Sequence, residues 1–158
     1  MILAIDFGTR RCGFARSDPA RSFAVTLAPL VGPRDGFLFS SRGAHPLLTE
    51  RLRRLIADES PELLVIGNPR HADGSESDTS RRVRRFGDWV ARTFKLPVAY
   101  WDEHGSTRDA AAELADAGWS PGARLRRSAA GIEDSVAARL ILQSYLDAHP
   151  AAPTEGEA

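Results

Sequence analysis

The sequence predicts an α/β protein built on one mixed β-sheet that is flanked by helices. Three predicted strands come first, and strands then alternate with helices, which is the pattern of such sheets. Two later apolar runs, "ELLVIG" and "LPVAYWDE", are typical of buried parallel strands. Acidic residues stand at the carboxyl ends of the first and last predicted strands, where sheets of this class bind ligands.

The N-terminal third of the chain predicts a three-stranded antiparallel meander. Residues 2–7 and 12–17 are the first two strands, and the turn between them contains Gly8. Residues 23–31 form the third strand, in which Pro29 indicates an edge position or an early end. Residues 32–45 are rich in Gly, Pro and Ser, and we expect a loop there.

The rest of the chain predicts helices that alternate with two parallel strands. Helical spacing of leucines and a proline in the first turn predict a helix over residues 46–59. The remaining predicted elements are a strand at 62–67, a loop at 68–77, helices at 77–94, 106–118 and 129–148, and a strand at 96–103. We expect one domain over residues 1–148 and a disordered tail over 149–158.

Composition narrows the class of protein. The chain has 158 residues, 42% hydrophobic and 27% charged, with a formal net charge of zero, which is ordinary for a soluble domain. Clustered arginines suit phosphate, although such clusters are more often solvated helix faces. The single cysteine, Cys12, excludes an internal disulfide. Neither a signal peptide nor a membrane-spanning run is present, so we expect a cytoplasmic protein with no membrane partner.

Asp6 ends the first apolar strand. A carboxylate there loses hydration and needs a compensating charge or hydrogen-bond donors. One interpretation is that it caps the following turn through the amides of Gly8 or Thr9. The other is that it binds a divalent cation, which supplies the missing positive charge.

Two further acidic positions have the same two interpretations. Asp102 and Glu103 alternate in direction, so only one of them shares a face with the inward side chains, and we favour Glu103. Asp134 shares a helix face with small and apolar residues, although the helix dipole alone also favours an acid there. Its neighbour Glu133 is an alternative ligand.

Three carboxylates from two strand ends and one helix could converge on one or two Mg²⁺ or Mn²⁺ ions. Two such ions can activate a water and stabilise the leaving oxygen of a phosphodiester. The four histidines and one cysteine are scattered, so the sequence lacks the ligand spacing that is typical of zinc sites. There is also no P-loop. A carboxylate site of this kind is thus one candidate for hydrolysis of a phosphodiester.

With these residues identified, the chain resembles the YqgF family, bacterial proteins described as Holliday-junction-resolvase-like or as nucleases of precursor 16S ribosomal RNA. Four blocks in order carry the resemblance, from Ile2 to about Leu146: "LAIDFGTRRCGFARSD", "VIGNPRHADGSES", "WDEHGST" and "EDSVAARLILQSYL". The resemblance implies a ribonuclease-H-like fold, in which the three-stranded meander and two parallel strands form one sheet.

The resemblance also implies roles for residues. Asp6, Glu103 and Asp134 would be the catalytic acids that bind Mg²⁺ or Mn²⁺. The residues implied to line the nucleic-acid path are Thr9, Arg10, Arg11, Asn68, Arg70, Ser75 and His104. An exposed hairpin turn is the alternative interpretation of the two arginines.

The chain departs from the family pattern in three places. His104 replaces a usual arginine, which weakens a phosphate contact or makes it pH-sensitive. Glu133 replaces an apolar residue and adds an acid near the expected metal site. The 32–45 loop is longer than usual.

The leading hypothesis is a metal-dependent nuclease that acts on structured RNA, with pre-16S ribosomal RNA as the expected partner. Cleavage of a DNA junction is the same chemistry on another substrate. A second hypothesis is an actin-like or sugar-kinase-like phosphotransferase, because "IDFGT" resembles the first phosphate loop of that superfamily. The third is a non-catalytic module that binds nucleic acid or ribosomes. The sequence does not predict the oligomeric state.

Overall fold

The computed structural model describes residues 1–69, 75–103, 110, 113–114 and 117–152. Its strands are β1 (Ile2–Phe7), β2 (Arg11–Ser17), β3 (Ala24–Val31), β4 (Phe39–Ser40), β5 (Gly43–Ala44), β6 (Leu63–Pro69) and β7 (Val98–Glu103). Its helices are α1 (Pro46–Glu59), α2 (Asp78–Phe94), α3 (Pro121–Ala129) and α4 (Ile132–Ala148). None of these helices is long and apolar enough to cross a lipid bilayer.

Five of the strands form one mixed sheet in the order β3-β2-β1-β6-β7. The β1–β2 and β2–β3 pairs are antiparallel, whereas β1–β6 and β6–β7 are parallel. The predicted meander with two parallel strands, and hence the ribonuclease-H-like fold class, is confirmed. Pro29 lies within β3, which is an edge strand as predicted.

The sheet buries a different kind of core on each face. On one face, large aliphatic and aromatic side chains of the strands pack against α1 and α2, and Phe86 is completely buried among them. On the other face, small strand residues such as Ala4 and Ala15 pack against Ala138 and Leu142 of α4. The alternation of each strand decides which side chains reach which face.

Several predicted elements differ from the structure. The predicted loop at 32–45 contains the β4–β5 hairpin, and Leu38 beside it is completely buried. Helix α3 (Pro121–Ala129) was not predicted, because a loop was expected there. The predicted helix at 129–148 begins later, as α4 at Ile132, because Gly131 has a φ of 79° and separates it from α3. Such a backbone conformation suits glycine and ends a helix.

Strand β6 runs further than predicted, to Pro69, so Asn68 belongs to a strand and not to a loop. Ser77 caps α2 by accepting a hydrogen bond from the amide of Ser80. The predicted helix at 106–118 and the predicted tail at 149–158 lie mostly outside the described residues, and both stay predictions.

Candidate active site

Asp6 and Asp134 meet on the α4 face of the sheet. Asp6 is paired with Gly13 across the β1–β2 ladder, and directly opposed residues of an antiparallel pair lie about 5 Å apart. The backbone of Asp134 lies against Gly13, because a Cβ added at that glycine would overlap the Asp134 carbonyl. Both acids are buried, with 2% of Asp6 and 7% of Asp134 exposed. The fold therefore places two carboxylates close together in a region with little water.

The close approach of α4 depends on small residues and on one serine. Gly13 leaves room for the first turn of the helix, and Ala137 and Ala138 are buried further along it. Ser135 Oγ donates a hydrogen bond of 2.7 Å to the carbonyl of Leu27 and accepts one of 3.3 Å from the amide of Phe14. These two bonds fix the helix to β2 and β3, and with it the position of Asp134.

Arg11 neutralises part of the charge at this site. Its Nε lies 3.3 Å from Asp134 Oδ2, and its Nη1 donates a 2.6 Å hydrogen bond to the carbonyl of Ser128 in α3. The guanidinium therefore joins the end of α3 to the acid in the first turn of α4. Sequence reasoning assigned Arg11 to nucleic acid and missed this ion pair, because nothing in the sequence indicates that α3 ends beside it.

The electrostatic field of the two acids extends to the neighbouring thiol. Burial raises the pKa of Cys12 from its ordinary 9.0 to about 12. A backbone hydrogen bond from Gly8 opposes this shift, and the negative charges of Asp6 and Asp134 add to it. Cys12 therefore stays a neutral thiol near pH 7 and is no nucleophile.

Strand β7 carries the third predicted acid. Glu103 is its last residue and is paired with Pro69 of β6, while the Glu103 side chain lies outside what the structure describes. Asp102 is exposed. Glu133, the alternative to Asp134, is half-buried in the first turn of α4.

The placement of Asn68 does not fit a contact with nucleic acid. Its side chain is completely buried, and its Oδ1 accepts a 2.8 Å hydrogen bond from Ser80 Oγ of α2. Strand alternation puts Asn68 on the face that α1 and α2 cover, together with Leu64 and Ile66. Because β6 continues through this residue, Asn68 joins a strand to a helix and has no surface for a phosphate.

A cleft of about 490 Å³ opens beside Asp134. It is lined by Gly8, Thr9, Arg10, Arg11, Val31, Gly32, Pro33, Arg34 and Asp134. Thr9 and Arg10, which the family resemblance assigns to the nucleic-acid path, line this cleft together with Asp134. Arg34 was missed, because it belongs to the segment that was interpreted only as a loop.

The other predicted contacts lie elsewhere along the chain. Ser75 is exposed, two residues before the cap of α2. Arg70 and His104 lie outside the described residues. In the part of the chain that the structure describes, no group of three His, Cys, Asp or Glu side chains converges on a metal position. The structure thus joins two of the three predicted acids.

Comparison with known proteins identifies the family. The family model described as "RuvX: Holliday junction resolvase" matches residues 1–148. A protein of Dechloromonas aromatica (strain RCB) is 35% identical over 99% of this chain and 98% of its own length. A protein of Chromohalobacter salexigens is 40% identical over 92% of this chain and 88% of its own length. Both relatives bear the name "Putative pre-16S rRNA nuclease".

Among solved structures, Thermus thermophilus RuvC in complex with a Holliday junction substrate is similar, with a TM-score of 0.45 and 16% identity. The similarity covers 94% of this chain and 95% of that one. The family match spans the strands and helices that carry Asp6 and Asp134. It confirms the resemblance to the YqgF family, and the chain belongs to the RuvX family.

Proposed function

We propose that this protein is a metal-dependent nuclease that hydrolyses phosphodiester bonds of structured nucleic acid, and that it processes the 5′ end of pre-16S ribosomal RNA. The observation that carries the proposal is the meeting of the buried acids Asp6 and Asp134 beside an arginine-lined cleft. The names of the relatives support the choice of substrate. Action on ribosomal RNA in turn supports the predicted cytoplasmic location.

The donor set fits a hard divalent cation. Carboxylate oxygens are the ligands that Mg²⁺ and Mn²⁺ prefer, and two buried acids in one place need positive charge nearby. Asp6, Asp134 and Glu103 would hold the ion. When bound, the ion polarises a phosphoryl oxygen and makes water a better nucleophile near neutral pH.

The choice of Glu103 as the third acid rests on the alternation of β7. Ala99 and Trp101 pack on the α4 face of the sheet, and Tyr100 packs on the opposite face. Side chains of a strand alternate between its two faces, so position 103 falls in the same series as positions 99 and 101. This alternation supports Glu103, and not Asp102, as the acid on the same face as Asp6.

The arginines beside the acids would bind and orient the substrate backbone. Arg10 and Arg34 line the cleft, and their planar guanidinium groups suit phosphate oxygens. Arg11 already holds Asp134 in place through its ion pair, so in our proposal it orients the acid as well as the substrate. Arg70, Ser75 and His104 remain proposed contacts that rest on the family resemblance.

Cleavage of a branched DNA is the second candidate function. The observation that favours it is the description of the matching family model as a Holliday junction resolvase. Both candidates use the same acids, and they differ in the shape of the substrate that the surface accepts.

The test is a cleavage assay with a labelled 5′ end of a pre-16S ribosomal RNA and a four-way DNA junction, in Mg²⁺, Mn²⁺ or chelator. We compare the wild type with Asp6→Asn, Asp134→Asn and a control, Asp58→Asn, which removes an exposed acid from α1. We expect cutting that needs metal and falls on the order of a thousandfold in the first two variants only, because the ion contributes several kcal/mol.

The outcomes separate the candidates. Cutting of the RNA alone supports the proposed function, and preferred cutting of the junction replaces it with the second candidate. Equal cutting by Asp6→Asn and wild type contradicts the carboxylate mechanism. Binding of either substrate without any cutting indicates a non-catalytic module.

A further inference from the structure

A second cleft, of about 390 Å³, lies between the β4–β5 hairpin and the first half of α2. We call it the hairpin cleft, and its lining residues are Phe7, Thr9, Phe37, Phe39, Ser40, Ser41, Arg82 and Arg85. Aromatic rings and arginines thus line one cavity, whose volume is in the range of pockets that hold small organic groups. Neither the proposed metal chemistry nor the family match assigns it a role.

Phe37 is the exposed aromatic side chain of this cleft. Half of its surface, 50%, is open to solvent, so a ligand in the cleft can reach the ring. The guanidinium of Arg10 lies 4.8 Å from the centre of its ring, and Nη1 of the same arginine donates a hydrogen bond to the carbonyl of Arg34. Arg10 therefore holds the ring in place, which prepares it for stacking at a low entropy cost.

Two cations of the cleft are available to an anion. Among the described residues, neither Arg82 nor Arg85 forms an ion pair, although both are exposed. Their helix neighbours differ, since Arg81 pairs with Asp78 and Arg84 pairs with Glu76. Arg82 and Arg85, which have no ion pair among the described residues, line the hairpin cleft together with the aromatic rings.

The hairpin cleft adjoins the cleft beside Asp134. Thr9 lines both of them, and Arg10 lines the second while its guanidinium covers the Phe37 ring of the first. A strand of nucleic acid with a phosphate near Asp134 would thus reach Phe37 with a nearby nucleotide.

We propose that the hairpin cleft is a subsite for one unpaired nucleotide of a single-stranded segment, whose base stacks on Phe37 and whose phosphate contacts Arg82 and Arg85. This inference rests on the proposed nuclease function and specifies its substrate, because it requires single-stranded nucleic acid next to the cleaved bond. Aromatic stacking platforms beside arginines are the usual means of binding such strands.

The test measures binding in chelator, so that no cutting occurs. The probe is a ten-nucleotide RNA with one 2-aminopurine, whose fluorescence falls when it stacks on an aromatic ring, and a DNA of the same sequence serves as a second probe. The variants are Phe37→Leu, which keeps an apolar side chain, and Arg82→Gln. Arg81→Gln is the matched control, because it removes the same charge from a paired arginine on the same helix.

We expect wild type and Arg81→Gln to quench the 2-aminopurine, and Phe37→Leu to lose the quenching and bind about five- to tenfold more weakly. Arg82→Gln should weaken binding and lower the slope of log affinity against log salt by about one. Binding to a perfect duplex of the same sequence should not change in Phe37→Leu. Thermal unfolding of each variant checks that the fold is intact.

Three results would overturn the subsite: no binding of either single strand by the wild type, equal quenching by Phe37→Leu and wild type, or equal weakening by Arg81→Gln and Arg82→Gln. Failure of the nuclease proposal is a separate result. If the wild type binds with quenching but never cuts, the subsite proposal stands and the nuclease proposal is rejected. If the wild type cuts and Phe37→Leu binds as tightly as the wild type, the nuclease proposal stands and the subsite proposal is rejected.

Discussion

The two faces of the sheet carry side chains of different size. The face under α1 and α2 carries large side chains, and Phe86 there stacks on Phe7 with ring centroids 4.3 Å apart. The face under α4 carries Gly13, Ala4 and Ala15, with two buried acids at one end. Large apolar side chains bury more area and contribute more to stability than small ones. The first face therefore contributes most to stability. The second face has smaller side chains and buries less apolar area, and these small residues let α4 bring Asp134 close to the sheet.

Phe86→Ala should have the largest effect on stability. Removing a completely buried ring that contacts Phe7 and Phe39 leaves a cavity, and we expect a loss of about 3–5 kcal/mol in the free energy of unfolding. Urea denaturation followed by circular dichroism measures it. Phe23→Ala, at a site that is 55% exposed, should change stability by about 0.5 kcal/mol or less. Similar losses in both variants would contradict the assignment of stability to this face.

Gly13→Ala tests the other face. The new methyl group would overlap the backbone of Asp134 and push α4 outward, so we expect a loss of about 1–3 kcal/mol. Cleavage should fall about a hundredfold in the protein that remains folded, because small displacements of reacting groups have effects of that size. Gly122→Ala is the control, since an added methyl group there makes only an ordinary contact. A Gly13→Ala protein with normal stability and activity would show that α4 does not need this close approach.

Arg11→Gln removes the cation that faces Asp134. We expect a loss of about 1–2 kcal/mol, because a buried carboxylate loses its charged partner while the arginine itself is partly exposed. Differential scanning fluorimetry should show that Mg²⁺ raises the melting temperature more in this variant than in the wild type. The exposed pair between Arg53 and Glu50 offers the control, and Arg53→Gln should change stability by less than about 1 kcal/mol.

The pH dependence of stability should report the buried thiol. The folded-state pKa of Cys12 is about 12, above its ordinary 9.0. The stabilisation that the folded protein gains from keeping this thiol protonated is therefore complete below pH 9 and is lost as the pH rises towards 12. The wild type should therefore lose stability relative to Cys12→Ala by up to about 1.4 kcal/mol per pH unit in this window. Denaturation at pH 8, 9 and 10 measures the difference. A constant difference would show that the thiol ionises as easily in the folded protein as in the unfolded chain.

Long apolar patterns made most of the fold predictable from the sequence. The five sheet strands have continuous or alternating apolar residues, and of the two interpretations of Pro29, an edge position or an early end, the structure shows the edge position. The hairpin at Phe39–Ser40 and Gly43–Ala44 was missed, because strands of two residues have no periodicity to detect. Gly131 offered a signal for the start of α4, but the helix was predicted to begin two residues before it, because glycine inside a helical pattern is also tolerated.

The candidate site was predictable only in part. Asp6 and Asp134 followed from a strand end and a helix face, which are local patterns. The ion pair of Arg11 with Asp134 joins residues that are far apart in sequence, and only the folded chain brings them together. Asn68 was placed in a loop because its neighbours form turns in many sequences, whereas sheet pairing with Asp102 keeps it in the strand.

The edge of the sheet limits how the protein could associate with copies of itself. Strand β3 is an edge strand with exposed Val25 and Val31, and an edge of this kind can pair with another strand. Pro29 has no N–H to donate, and the register between β2 and β3 shifts at the same level, between Cys12 and Phe14. A strand of another molecule could therefore form a regular series of hydrogen bonds with the backbone N–H groups of β3 only before Pro29. The same proline that indicates an edge in the sequence therefore hinders a second strand from pairing along the whole of β3.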